Sequence, residues 1–214
     1  MTDHRGGGLQ NLIRSDIVES AQMLTRAFDG DPLMQALFSG TSIDGDEARF
    51  ELFRFSCAVR VELEWPLIGL IEGSRICGVA CVSLPGKPQW PLTLIEEHDH
   101  FKRRLGAGPA GKYEAYSEIV ESQRPQKPHH FLAVLGVDPR DQGRGFGRQL
   151  IEHVHQLAKE HPTSTGVALD TENPENISFY ERMGYHCTAE SDFYGTKIWH
   201  YFRADIAVVD EAGQ

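Results

Sequence analysis

A chain of 214 residues, 40% hydrophobic and 24% charged, can bury one sizeable core and lacks the bias of a disordered protein. Its formal charge of −10 argues against nucleic acid and anionic membrane as partners, because binding to either leans on lysine and arginine neutralising phosphate. The first thirty residues hold no secretory apolar core of about 7–15 residues, and no run approaches the roughly 18 apolar residues of a membrane helix, so a soluble, cytoplasmic, single-domain protein is expected.

Residues 1–8 are polar and glycine-rich and are expected to be disordered. Residues 9–14 read as a short strand. Asp16, with Glu19 three residues on, has the form of an N-cap and capping box, and Ile17, Ala21, Leu24 and Phe28 then share one helical face. Asp31-Pro32 opens a second helix, with proline at its tolerated first position. A longer helix is predicted over 46–63, with Phe50, Phe53, Cys57 and Val61 on one stripe. Two apolar runs, 66–72 and 75–84, joined by Gly73-Ser74, make a β-hairpin.

Residues 85–128 are rich in proline and glycine, and weak helical patterns over 94–105 and 113–121 suggest a helical insertion or lid within a domain spanning 9–205. Beyond it a continuous apolar strand is predicted over 130–137. A helix follows over 145–161, with Leu150, Ile151, Val154, Leu157 and Ala158 inward, and then a strand over 167–171. A short helix from 174 to 183 stops at Gly184, a C′ glycine. Strands over 185–190 and 197–203 finish the domain, and 206–214 read as a flexible tail. Cys57, Cys77, Cys81 and Cys187 show no CxxC pairing and read as small core residues in a reducing compartment, Cys77 and Cys81 on one strand face. No metal site is expected: His153 and His155 are close on a helix but, two apart, face different ways.

The strand over 130–137 runs through Asp138-Pro139-Arg140-Asp141-Gln142-Gly143-Arg144-Gly145-Phe146-Gly147 directly into a helix. Such a turn leaves backbone N–H groups unpaired at a helix N-terminus, where the macrodipole adds positive potential, and glycines let a pyrophosphate approach closely. Arg140, Arg144 and Arg148 cluster here in an otherwise acidic chain. The Gly-x-Gly-x-Gly spacing fits neither a Rossmann fingerprint nor a P-loop. A ligand-free tight turn is the alternative for this stretch taken alone.

Gln142-x-x-Gly145-x-Gly147, preceded by Val137-x-Pro139, resembles the acetyl-CoA loop of GNAT acetyltransferases. About thirty residues on, Asn173-Pro-Glu-Asn176-Ile-Ser-Phe179-Tyr180-Glu-Arg-Met-Gly184-Tyr185 is similar to that superfamily's second signature. The likeness is detailed over 131–185 and does not extend to 85–128. Within the family, Leu169-Asp170-Thr171-Glu172-Asn173-Pro174 and Phe179-Tyr180-Glu181-Arg182 resemble puromycin-type small-molecule acetyltransferases.

The resemblance implies an α/β fold with a central mixed sheet, two splayed parallel strands and flanking helices. It implies an acyltransferase that moves acetyl from acetyl-CoA directly to a primary amine. Leu135, Gly136 and Val137 would bond the pantetheine arm; Gln142, Gly143, Arg144, Gly145, Phe146, Gly147 and Arg148 would cradle the pyrophosphate. Asn173 and Asn176 would contact pantetheine or cap the short helix. Tyr180 fits the general acid, and Asp170, Glu172, His129 and His130 are candidates for the base. A small-molecule amine is the expected partner, and a homodimer is compatible with the family. Peptide acetylation and an inactive acyl-CoA sensor are the alternatives.

Overall fold

The computed structural model describes residues 7–40 and 43–205. Residues 1–6 and the tail over 206–214 lie outside them, and Gly8, expected to be disordered, begins the first strand. In chain order the elements are β1 (Gly8–Asn11), α1 (Ile17–Ala27), α2 (Pro32–Phe38), α3 (Gly45–Glu62), β2 (Leu67–Glu72), β3 (Arg75–Ser83), α4 (Leu92–Leu105), α5 (Ala107–Gln123), β4 (His130–Val137), α6 (Phe146–Glu160), β5 (Gly166–Thr171), α7 (Ile177–Arg182), β6 (His186–Phe193) and β7 (Thr196–Ala204). The strands form one mixed sheet in the order β1-β2-β3-β4-β5-β7-β6. Every neighbouring pair is antiparallel except β4 and β5. Among the described residues no helix is long and apolar enough to cross a membrane.

One face of the sheet carries α1 to α4, with Leu24, Leu37, Phe53, Leu94 and Phe101 in its core. The other carries α6 and α7, where Leu150, Ile151, Val154 and Tyr185 are buried, as the 3.6-residue spacing of α6 requires. The proline- and glycine-rich segment over 85–128 forms α4 and α5. Gly106 turns the chain between them at φ 81°, a conformation glycine adopts without the Cβ penalty. Phe101 of α4 stacks on Phe55 of α3 at 4.9 Å, so this segment is built into the core.

Three local expectations are corrected. Asp16 and Glu19 form no capping box: Asp16 accepts from the N–H of Ile13 at 2.9 Å, and Glu19 reaches across to the N–H of Ile76 at 3.0 Å. A bulge leaves Cys77 without a partner on β2, which reverses the face it presents, so Cys77 packs with the α6 side and Cys81 with the α3 side. Cys187 is exposed, because β6 is an edge strand.

Candidate active site

The site begins where the sheet opens. β4 and β5 pair only from His130 opposite Val167 to Leu132 opposite Leu169, yet β4 runs on to Val137 and β5 to Thr171. A bulge at Ala133, unmatched on β3, starts the divergence. The N–H of Asp138 donates to Cys77 on β3 at 2.8 Å. Because successive residues alternate in direction, the N–H of Gly136 also faces β3, while those of Leu135 and Val137 face the gap. Gly136 serves packing: a Cβ there would lie 2.6 Å from Leu24 of α1.

A cleft of about 870 Å³ occupies the gap, lined among others by Leu135, Gly136, Val137, Asn176 and Tyr180. Its floor is the loop into α6, where Gln142, Gly143, Gly145, Phe146, Gly147 and Arg148 line it. Gly143 and Gly145 hold φ 77° and 80°, the left-handed region that disfavours a side chain. Asp31 and Asp44 cap α2 and α3 with their carboxylates, but no side chain caps α6. Its first N–H groups are left to a ligand or solvent.

Arg144 is placed differently from expectation. It does not line the cleft. Its guanidinium spans Glu72 at 2.7 Å and Asp141 at 2.9 Å and lies 4.5 Å from the Phe146 ring centre. Arg140 grips the fully buried Asp138 at 2.7 Å, and Arg26 of α1 does so at 2.8 Å. These bonds, Arg140 first, hold the Asp138 carboxyl well below the usual carboxylate range against the opposing effect of burial. The loop's arginines therefore brace the loop through carboxylates, and of the three only Arg148 lines the cleft.

A second cavity of about 400 Å³ lies behind the first, and Phe28, Asp31, Leu135, Asn176 and Tyr180 line both. Here Asp170 and Glu172, at and just past the end of β5, come together with α5. Glu172 accepts from the Tyr116 hydroxyl at 2.8 Å. Burial, reinforced by the charges of Asp170 and Asp31 and opposed by that bond, pushes its carboxyl up to about 8. Asp170 takes His200 of β7 on Oδ1 at 2.6 Å, His200 in turn meets Ser191 at 2.9 Å, and Asp170 Oδ2 has no partner. Tyr180 is buried at the junction, where desolvation first and then the nearby carboxylates raise its phenol well above the usual range.

His129 and His130 line neither cavity. His130 is buried against Ser164 and His161 at the far end of β4, and desolvation lowers it to about 4. Both are removed as candidate bases. Asn173 spends its side-chain oxygen on the N–H of Glu175 at 3.0 Å, leaving Asn176 the better placed of the two amides. His155 bonds the Tyr185 hydroxyl at 3.0 Å. Among the described residues Glu72, Cys77 and Asp141 could group around a metal ion, but the two carboxylates are already paired with Arg144 and Arg75. Sequence reasoning missed Asp31 as a wall of the site, and His200, Tyr116, Arg60 and Arg124 altogether. The α5 residues that face the pocket recur at helical spacing (Tyr113, Tyr116, Ser117, Val120, Arg124), but their mixed polarity hides the stripe.

The model of the Acetyltransferase (GNAT) family matches residues 47–185. The chain is 28% identical over 105 residues to the N-alpha-acetyltransferase RimI of Mycobacterium tuberculosis, covering 47% of this chain and 63% of that protein, under two thirds of its length. A Corynebacterium glutamicum crystal structure, described as histone acetyltransferase HPA2 and related acetyltransferase, is similar with a TM-score of 0.67 at 16% identity, over 96% of this chain and 100% of the other. Drosophila melanogaster polyamine N-acetyltransferase, which forms N-acetylagmatine, is similar with a TM-score of 0.62 at 16% identity, over 94% and 98%. At such identities the structural likeness is one of fold alone.

Proposed function

Because this chain belongs to the GNAT acetyltransferase family, its model matching well over half of the residues, we propose that it moves an acetyl group from acetyl-CoA to the primary amine of a small molecule. The observation that carries the proposal is the junction at Tyr180, where a cleft floored by uncapped N–H groups meets a second, acid-lined cavity. The cleft suits acetyl-CoA: the N-terminus of α6 for pyrophosphate, the N–H groups of Leu135 and Val137 for pantetheine, and Asn176 beside them. Bound there, acetyl-CoA supplies an acetyl group already activated as a thioester. The free cysteines are compatible with a cytoplasmic setting.

Glu172 takes a proton from the incoming ammonium, directly or through one water, and its raised pKa places it near working pH, where a general base is most effective. Asp170, its orientation fixed by His200, adds negative charge beside the incoming ammonium. Tyr180, kept protonated by burial, faces the junction and can hydrogen-bond the departing thiolate. The N–H groups of Leu135 or Val137 are placed to polarise the thioester carbonyl.

A peptide acceptor is the second reading, favoured by the likeness to RimI. Against it, α5 lies along the acceptor cavity and bonds its carboxylate, which narrows the room for a peptide chain. An acetyl-CoA-dependent screen of small amines and N-terminal peptides, read by mass spectrometry, is expected to give acetylated small amines. Acetylation of peptides alone would replace the first reading by the second, and no product from either would favour a sensor.

A further inference from the structure

The acceptor cavity has two chemically opposite ends. Asp31, Asp170 and Glu172 line one, and Arg60 and Arg124 the other, with Glu121 beside Arg124. Arg60, on α3, is 7% exposed and has no carboxylate partner among the described residues: Nη1 bonds the Ser56 carbonyl at 3.2 Å, Nη2 the Ser83 hydroxyl at 3.1 Å, and Nε nothing. A guanidinium taken from water without a counter-ion is among the costliest groups an interior can hold. Arg124, just past α5, pairs with Glu121 at 3.1 Å and lies 3.9 Å over the ring centre of Phe131, and its Nε is also unbonded and buried. Two guanidinium groups, that of Arg60 without a carboxylate partner among the described residues, thus line one end of a small cavity whose other end carries Asp170 and Glu172.

The two ends are far apart. From Tyr116 on α5 to Arg124 just past its end is eight residues, about 12 Å at the helix rise. On the sheet, Phe131, beneath Arg124, is paired with Ala168, four residues or roughly 13 Å of strand before Glu172. Between them the wall is apolar, with Met34, Leu37, Phe53 and Val120. We infer that the acceptor is an amino-carboxylic acid, its amine at Glu172, its carboxylate on Arg60 and Arg124, and an extended apolar body between. The guanidinium fork matches a planar carboxylate better than any neutral group. This rests on the acetyl-transfer reading above.

The test uses matched acceptors: 8-aminooctanoate against octylamine, and 6-aminohexanoate against hexylamine, with CoA release as the readout. In the wild type the carboxylate member of at least the longer pair is expected to have the higher kcat/KM. In Arg124→Gln and Arg60→Met that preference should fall about 10-fold or more, chiefly through KM, with Arg124→Lys recovering part of it. Melting temperatures report folding, and Arg124→Gln carries the test if Arg60→Met does not fold. Equal kcat/KM within both pairs in the wild type overturns the proposal. If no acceptor releases CoA, the acetyl-transfer reading fails. Calorimetry of octanoate binding then decides the carboxylate site: binding lost in Arg124→Gln supports it, and no binding to the wild type, or equal binding to both proteins, overturns it.

Discussion

Tyr116 of α5 donates its hydroxyl to Oε1 of Glu172, just beyond β5, at 2.8 Å. The bond joins α5 to the residue we assign as base, so the rate should report it. We expect kcat/KM to rise with pH through an apparent pKa near 8, the value to which burial pushes Glu172. Glu172→Gln should flatten that limb and lower turnover by about 10²–10⁴-fold. Tyr116→Phe, which removes a bond to the ionised form, should move it to higher pH. An unaltered limb in Glu172→Gln would assign the base elsewhere.

The same group links stability to pH. Its folded pKa of about 8 lies above the ordinary 4.5, so its contribution is fully present below the unfolded value and is lost as pH rises through the folded one. The melting temperature of Glu172→Gln should therefore gain on the wild type between pH 5 and pH 9. A difference that stays constant across that window contradicts the assigned burial of this carboxyl.

Gly147→Ala separates the cofactor loop from the fold. A Cβ there would meet Phe179 and Val137 at 3.8 Å, ordinary contact, in a helical residue that lines the cleft. Glycine to alanine in a helix is worth about 0.5–1 kcal/mol, so stability should hold or rise while the acetyl-CoA dissociation constant rises about 10-fold or more. Gly145→Ala, at φ 80°, should instead lose roughly 1–2 kcal/mol of stability. Calorimetry and thermal melts check both, and unchanged affinity in Gly147→Ala moves the pyrophosphate away from this helix end.

Asp138 is fully buried and joins Arg26 of α1 to Arg140 of the loop. Its depressed pKa contributes stability that is present above the unfolded value and lost as pH falls through the folded one. Asp138→Asn should cost on the order of 2 kcal/mol at pH 7, with the gap to wild type narrowing below about pH 4. Urea melts at pH 7 and pH 3.5 measure this, and a gap that is no smaller at the lower pH contradicts the charge-based account.

What was legible in the sequence is what rests on strong local signals. Leu150, Ile151 and Val154 recur at helical spacing because one face of α6 is wholly apolar, and Gly143 and Gly145 stand where the backbone needs positive φ. Arg144 was misread because clustered charge says nothing of partners: Asp141 and Glu72, the latter 72 residues away, claim it. His200 reaches the site only because β7 returns beside β5 in register with Asp170, a long-range pairing that no local pattern encodes. Arg60 and Arg124 look like ordinary charges on helices until α5 is laid over β4.

Tyr180→Phe tests the central claim most directly, because it removes the Tyr180 hydroxyl at the junction of the two cavities and keeps the ring that packs against Tyr185 and Tyr201. With an accepted amine, kcat and kcat/KM should both fall about 10²–10⁴-fold, while acetyl-CoA affinity and melting temperature change little. A folded Phe variant that binds acetyl-CoA normally and turns over at the wild-type rate would contradict the account.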